Sequence, residues 1–152
     1  MSPEECYKRH YLSKSTPLNL ALVRVMFNKD YFLKLGGFST QYKSGDDYAR
    51  LLMAAKHPVL IIQDGLVWWR KSPNSASFKL FNSYNGVWEP LALKYYFLNT
   101  TNLLSDSEEI MARKKLYSSY INILKSLLKK GKLYWTLKLI IDFKRVKQPG
   151  KI

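Results

Sequence analysis

The chain has 152 residues, a formal net charge of +14, an apolar content of 47% and one cysteine. This composition indicates one modest folded domain and excludes a disordered tail, a collagen-like fibre and a disulfide framework. The lone Cys6 also excludes a cysteine-rich zinc module and favours a reducing compartment. Lys or Arg interrupts every apolar stretch and the N-terminus does not resemble a signal peptide, so we expect a chain that neither spans a membrane nor is secreted by that route. The positive charge indicates an anionic partner: nucleic acid, a phosphate-bearing substrate or a membrane surface.

The first half predicts strands separated by short helices. Residues 20–27 form an apolar run typical of a buried strand. Asn28 can cap a helix over residues 29–35, and Gly36-Gly37 can end it in left-handed backbone. A second helix is expected over residues 46–56.

Two further strand-like runs cover residues 59–63 and 66–70. Asp64-Gly65 lies between them and either turns a hairpin or kinks one continuous strand. From about residue 74 a helical region is expected to reach 97, interrupted near Gly86 or Pro90.

The C-terminal part differs in charge. From Met111 onward it carries twelve basic residues and one acid, Asp142, a net charge of +11. Two amphipathic helices are predicted there, the first capped by Ser105 or Ser107 and ended by Gly131. Their apolar stripes are Ile110, Tyr117, Ile121, Leu124 and Leu128 on the first helix and Leu133, Leu137, Ile140 and Ile141 on the second. We therefore divide the chain into residues 1–98 and a basic helical tail, 105–152.

Asp46 and Asp47 are adjacent carboxylates that follow a glycine at a predicted helix start. One interpretation makes Asp46 the helix N-cap and Asp47 a first-turn acid, together stabilising by roughly 1 to 2 kcal/mol. The other projects a carboxylate into a cleft, where it accepts a proton. Both can hold together.

Four motifs in register carry a family resemblance. They are Val25-Met26-Phe27 with the following short helix, Gly36-Gly37-Phe38, Gly45-Asp46-Asp47-Tyr48, and Leu66-Val67-Trp68-Trp69-Arg70. This stretch, residues 20–77, resembles the C-terminal half of the large second family of inverting glycosyltransferases, which have the GT-A fold. The resemblance implies an α/β fold class: a partial GT-A-like domain with a few strands and packed helices, followed by the helical tail.

The resemblance also implies roles for individual residues. Asp47 matches the general base that takes a proton from the acceptor sugar hydroxyl, and Asp46 matches its acidic partner. Gly37 would allow close backbone approach of the acceptor, although a helix C-cap explains it equally well. Strand alternation places Trp68 and Arg70 on one face and Trp69 on the other, so one tryptophan is expected in the core and one in the cleft. Arg70 would meet a diphosphate, or else lie exposed on the surface.

Enzymes of that family bind a nucleotide-sugar and a divalent cation, Mg or Mn, through an N-terminal half that ends in an Asp-x-Asp motif. This chain contains no such motif, so we expect a fragment that depends on a separate nucleotide-binding half and is inactive alone. Neither His10 nor His57 has a second ligand at metal-binding spacing, so both are expected at the surface and no metal site is predicted.

The tail allows two interpretations. Its lysines are merely solvated, or its second helix lies on an anionic membrane surface, with Tyr134 and Trp135 near its start. Nucleic acid ranks below both, because no recognition motif accompanies the charge. The sequence therefore favours a glycosyltransferase portion that acts on a glycan or lipid-linked acceptor, in the cytoplasm at the inner face of the membrane. The alternatives are a non-catalytic membrane-associated or partner-binding remnant of that fold and, last, a basic nucleic-acid-binding protein.

Overall fold

A computed structural model describes residues 1–14, 18, 25–62, 72 and 75–147. Every regular element in these ranges is an α-helix, and there are seven of them. They are α1 (Pro3–Leu12), α2 (Lys29–Lys34), α3 (Gly45–Lys56), α4 (Ala76–Phe81), α5 (Tyr84–Thr100), α6 (Asp106–Lys129) and α7 (Leu133–Lys147). The expected α/β, GT-A-like fold class is therefore wrong for the described part of the chain, which is helical.

The strand predictions fail where they can be checked. Residues 25–27 and 59–62 have no regular secondary structure. Val59 exchanges both backbone hydrogen bonds with Met1, at 2.9 and 3.0 Å, while the Leu60 and Ile62 side chains are 84% and 67% exposed. Strand-forming residues make a ladder only when a neighbouring strand pairs with them, and the described segments do not supply one. Residues 20–24 and 63–71 lie outside the described residues.

The short helix and its termination are as predicted. The Asn28 side chain accepts hydrogen bonds from the backbone N–H groups of Asp30 and Tyr31, at 3.0 and 3.2 Å, which satisfies two free donors of the first turn. Gly36 and Gly37 follow with φ of 90° and 70°. Only glycine adopts this left-handed region without strain.

The predicted interruption near Gly86 or Pro90 is misplaced. The helical region is instead interrupted at Asn82 and Ser83. The Ser83 side chain caps α5 by accepting a hydrogen bond from the Gly86 N–H at 3.2 Å. Pro90 lies inside α5. Pro90 is six positions beyond the first residue of α5. It has no N–H to donate, so α5 lacks one backbone hydrogen bond near its start.

The tail starts as predicted and shares a core with the first half. Ser105 forms a capping box with Glu108 at the start of α6. Gly131 follows the end of α6 and turns the chain towards α7 with φ of 66°. The Tyr120 and Phe143 rings, one from α6 and one from α7, stack at 3.8 Å between centroids. Both belong to the same buried cluster as residues of α1, α3 and α5.

The N-terminal helix α1 was not predicted. Ser2 caps it by accepting from the Glu5 N–H at 3.2 Å, and Pro3 occupies its first turn. Its Tyr7 hydroxyl donates to the Leu51 carbonyl at 2.8 Å, and its Tyr11 hydroxyl donates to the Lys94 carbonyl at 2.7 Å. α1 thereby ties α3 to α5.

No helix in the described ranges combines the length and the apolar character that crossing a bilayer would require.

Candidate functional site

The loop between α2 and α3 presents the acidic pair. It opens at Gly36 and Gly37, where the Gly37 N–H closes a hydrogen bond to the Phe32 carbonyl at 2.9 Å. It returns at Ser44 and Gly45, which are both buried. The two glycine motifs of the sequence therefore mark the two ends of one loop.

Gly45 is required by close packing. A Cβ atom at this position would lie 2.5 Å from the Ser39 carbonyl oxygen, far inside the contact distance. The loop backbone thus folds directly over the first residue of α3. The glycine that precedes the two aspartates has a packing reason, independent of any ligand.

A buried carboxylate on α5 holds this loop. Glu89 of α5 is 7% exposed and accepts hydrogen bonds from the backbone N–H groups of Lys43, at 3.2 Å, and Ser44, at 2.8 Å. Sequence reasoning missed Glu89. One feature of the sequence could have indicated its role: Glu89 is the only acidic residue between Asp64 and Asp106.

Asp46 and Asp47 lie in the first turn of α3, and both are half-buried. The prediction of Asp46 as N-cap is wrong, because Ser44 occupies that position and its side chain makes no cap hydrogen bond. The prediction of Asp47 as a first-turn acid is confirmed. Both carboxylates face the positive end of the helix dipole, which favours negative charge.

Asp47 forms an ion pair with Arg50, one turn later on α3. Arg50 is 8% exposed, and burial lowers its pKa, an effect that the charge of Asp46 opposes. An arginine side chain stays protonated in proteins, so a buried guanidinium needs a carboxylate beside it. The pair fixes the orientation of the Asp47 carboxylate and stabilises its ionised form.

His10 lies deep in the fold, so the expectation of a surface residue is wrong. It is 5% exposed, and within the described part of the chain neither ring nitrogen has a hydrogen-bond partner. Burial, with the charges of Lys94 and Arg50, lowers the pKa of His10 from 6.5 to about 3. The ring is therefore neutral at pH 7. The other histidine, His57, is half-buried and stacks on Tyr31 at 4.1 Å.

Tyrosines surround the start of α3. The Tyr48 ring stacks on Tyr42 at 5.5 Å between centroids and lies 6.3 Å from Tyr96 and 5.4 Å from Phe97. Tyr42, Tyr48 and Tyr96 are half-buried, so part of each residue is accessible to solvent. Partly exposed aromatic residues at a junction that also carries a carboxylate suit a sugar, which combines an apolar face with hydroxyl groups. The sequence pattern assigned Tyr48 only to an apolar helix face.

A cavity of about 550 Å³ lies against α3, bordered by α2 and by residues 25–28 and 57–62. Asn28, Tyr31, Arg50 and His57 contribute its polar groups, and its walls are mainly apolar. Leu60, Ile61 and Met26 border it and are exposed. Neither Asp46 nor Asp47 lines this cavity.

The remaining sequence-predicted site residues cannot be placed together with these. Trp68, Trp69 and Arg70 lie outside the described residues. The described site therefore consists of the glycine-bounded loop, the pair Asp46 and Asp47, and the flanking tyrosines.

The divalent cation implied by the family resemblance does not fit the described residues. They contain no group of three or more His, Cys, Asp and Glu side chains arranged to hold a metal ion. We derive no step through such an ion.

Comparison with protein-family models, with curated proteins and with solved structures finds no match to this chain.

Proposed function

We propose that the chain supplies the acceptor-side portion of an inverting glycosyltransferase, which transfers a sugar from a nucleotide-sugar to a glycan or lipid-linked acceptor. One observation carries the proposal: an ion-paired, oriented carboxylate, Asp47, stands at a tightly packed loop–helix junction that also carries the half-buried Tyr42 and Tyr48. The order of the motifs around this junction supports the assignment, as a resemblance. The helical character of the described residues does not support the GT-A architecture, which forms no part of the proposal.

In this proposal Asp47 is the general base. Its carboxylate takes the proton from an acceptor hydroxyl while that oxygen attacks the anomeric carbon and the nucleoside diphosphate leaves from the opposite face, so configuration inverts. A carboxylate is too weak a base to ionise a sugar hydroxyl outright, so the proton moves only when the displacement is well advanced. Positioning therefore supplies much of the rate, and Arg50 serves as a positioning residue.

The tyrosines bind the acceptor. An acceptor ring stacked on Tyr42 or Tyr48 would present its hydroxyls toward the first turn of α3, where Asp46 and Asp47 lie. Burial raises the pKa of the Tyr48 hydroxyl, and its hydrogen bond with Tyr96 adds to the effect, so this group stays protonated and its oxygen can accept a hydrogen bond from a sugar hydroxyl. Donor binding is assigned to a separate nucleotide-binding portion.

Saturation-transfer difference NMR on the full chain tests acceptor binding. The probes are the methyl glycosides of glucose, galactose, mannose, rhamnose and N-acetylglucosamine, measured one at a time. We expect saturation transfer to at least one glycoside. Tyr48→Ala should weaken that signal at least tenfold, because stacking and ring contact are lost. The matched control is Tyr134→Ala, which removes a 71% exposed tyrosine on α7.

Two results would contradict the proposal. One is a folded chain that gives no saturation transfer to any of the glycosides. The other is a signal that Tyr48→Ala leaves unchanged, or that Tyr134→Ala reduces equally.

The second candidate is a non-catalytic, membrane-associated module, and the charge distribution favours it. We also propose that the chain, enzymatic or not, works at the inner face of a membrane, because its charge of +11 from Met111 onward is concentrated on the tail helices. Sugar binding distinguishes the two candidates, since the second requires none.

A further inference from the structure

Helix α7 has two distinct apolar faces. One packs into the core through Thr136, Leu139, Phe143 and Val146, which are at most 7% exposed. The opposite face carries Leu133, Tyr134, Leu137 and Ile141, which are between 52% and 71% exposed. Residues four apart lie one above the other on a helix, so Leu133, Leu137 and Ile141 form a continuous stripe that points to solvent. The core does not need this stripe.

Helix α6 carries a narrower exposed apolar edge beside its core face. Its core face is Ala112, Leu116, Tyr120 and Leu127, all buried. The stripe recognised from the sequence is a different one, in which Tyr117 and Leu128 are 48% and 51% exposed. Ile121 and Leu124 lie between them on the same face and are half-buried. This stripe lies at the edge of the core, because Ile121 and Leu124 pack against buried residues while Tyr117 and Leu128 keep about half of their surface exposed.

The two stripes lie on neighbouring helices. Phe143 of α7 stacks on Tyr120 at 3.8 Å, and its ring centroid is 6.3 Å from that of Tyr117. The helices are connected by a short turn at Gly131, so they run in opposite directions and bring Leu128 near the start of α7. We call the combined surface the α6–α7 face, formed by Tyr117, Leu128, Leu133, Tyr134, Leu137 and Ile141.

Basic side chains border this face. Lys114, Lys125 and Lys129 on α6 and Lys138, Lys144 and Arg145 on α7 are all exposed. Of the four acids on the two helices, Asp106 is exposed in the first turn of α6, and the other three have partners, among them Asp142, which lies 3.8 Å from Arg145. Glu108 pairs with Lys8 at 2.6 Å, Glu109 accepts from Arg113 at 2.5 Å, and Asp142 accepts from the Tyr84 hydroxyl at 2.7 Å.

From this arrangement we propose that the α6–α7 face docks on an anionic lipid bilayer, with its apolar stripes in the headgroup boundary and its lysines against lipid phosphates. An exposed apolar ridge with basic side chains on both flanks is the pattern of a helix lying in a membrane interface. The face needs no rearrangement, because the opposite sides of both helices are fixed in the core. This docking rests on the membrane location proposed above and identifies the surface that contacts the membrane. It does not depend on sugar transfer.

Two other occupants fit the face less well. A second copy of the chain would place the same basic rim against itself, and like charges across an interface are unfavourable. A nucleic-acid backbone would meet the lysines but would leave the exposed leucines and isoleucine without an apolar partner. A bilayer with anionic headgroups satisfies both kinds of side chain at once.

Vesicle flotation of the full chain tests the inference. The vesicles contain phosphatidylcholine alone or phosphatidylcholine mixed with phosphatidylglycerol. We expect flotation with the mixed vesicles, little with the neutral ones, and weaker binding as salt is raised. Leu137→Ser combined with Ile141→Ser should lower the partition coefficient roughly tenfold or more, because two apolar insertions are lost. Both side chains are exposed, so circular dichroism should show an unchanged fold.

Two triple variants distinguish the position of the basic residues from the total charge of the chain. Lys125→Gln, Lys129→Gln and Lys144→Gln together remove three charges from the α6–α7 face, and we expect roughly a hundredfold weaker binding at low salt. Lys29→Gln, Lys56→Gln and Lys79→Gln remove three exposed charges elsewhere. This control should bind almost as tightly as the unmodified chain.

A fluorescent probe reports which surface enters the bilayer. Cys6 is completely buried, so an environment-sensitive thiol dye should label a newly introduced cysteine selectively. Ile141→Cys should show a blue shift when mixed vesicles are added. Leu60→Cys, at an 84% exposed position outside the face, should not.

The inference is overturned if the chain does not float with mixed vesicles, or if both charge variants lose binding equally. It is also overturned if the dye at position 60 shifts as much as the dye at 141. Tighter binding to a DNA duplex than to mixed vesicles, insensitive to the serine substitutions, would assign the face to nucleic acid. A dimer in solution that the serine substitutions dissociate would assign it to a second copy. Glycoside binding, measured separately, is unaffected by any of these outcomes.

Discussion

The carboxylate of Glu89 accepts a 2.8 Å hydrogen bond from the backbone N–H of Ser44, 45 positions earlier in the chain. The same carboxylate holds the Lys43 N–H. A residue in the middle of α5 therefore anchors the loop that delivers Asp46 and Asp47.

Glu89→Gln should loosen this loop. A glutamine offers one acceptor oxygen where the carboxylate offers two, so one backbone N–H loses its buried partner, at a cost of about 1 to 3 kcal/mol. Hydrogen exchange at the amides of Lys43 and Ser44 should accelerate, and urea unfolding should report the lost stability. Glu5→Gln, at an exposed i,i+4 pair with Arg9, should change neither. Unchanged protection at both amides would remove Glu89 from the anchoring role.

Gly45→Ala should be more damaging than Gly36→Ala. At position 45 the new methyl meets the Ser39 carbonyl at 2.5 Å, so the loop must shift, which costs about 1 to 3 kcal/mol or more. At position 36 nothing lies within 4 Å, and the cost is the left-handed backbone, about 1 to 2 kcal/mol. Thermal unfolding compares the two variants. A harmless Gly45→Ala would show that the loop does not pack over α3 as described.

Asp47→Asn should destabilise the fold as well as affect function. The substitution leaves the Arg50 guanidinium buried without its carboxylate, and losing one partner of a fully buried pair costs up to about 3 to 5 kcal/mol. We expect less here, because the Asp47 side chain is 31% exposed. Adding Arg50→Met should restore most of the loss, since the unpaired charge is gone. Urea unfolding of the two single variants and the double variant measures the coupling, and Asp106→Asn provides a first-turn control on α6. Additive effects would contradict a direct pair.

Acidification should weaken the fold through His10. Its pKa is about 3 in the folded chain, below its ordinary value of 6.5, so between these values the unfolded chain binds the extra proton. The free energy of unfolding should therefore fall as pH decreases from about 6.5 towards 3, by up to about 1.4 kcal/mol per pH unit. His10→Phe keeps an aromatic ring against Tyr11 and should remove this component. His57→Phe is the control, and an identical pH dependence in His10→Phe and the unmodified chain would contradict the burial of a neutral ring.

Local chemistry explains which features the sequence could predict. The Asn28 cap, the left-handed pair Gly36-Gly37 and the Ser105 capping box each depend on residues within a few positions of one another. Their structure follows from side-chain reach and glycine backbone freedom.

The failed predictions depend on distant partners. Leu60, Ile61 and Ile62 have the composition of a strand, but a strand also needs a neighbour, which composition does not reveal. Glu89 is 45 positions from the N–H group it binds most closely. The burial of His10 required recognising α1, where Cys6, Tyr7, His10 and Tyr11 repeat at helical spacing on one face.

The tail shows a third limit. Its amphipathic stripes were visible in the sequence, yet α7 has two apolar faces and the pattern does not tell which one enters the core. Leu139 and Phe143 do so, whereas Leu137 and Ile141 remain exposed. Packing against α5 and α6 determines which face of α7 is buried, and this packing depends on the whole fold.

The proposed acceptor site is the junction of the glycine-bounded loop with α3. The most direct measurement is a titration of the nitrogen-15-labelled chain with the methyl glycoside that gives the strongest saturation transfer, followed in amide correlation spectra. We expect shifts confined to the amides of Tyr42 through Tyr48 and of Tyr96, with those of α7 unmoved. Absence of shifts at saturating glycoside, or shifts that cluster on α6 and α7 instead, would contradict it.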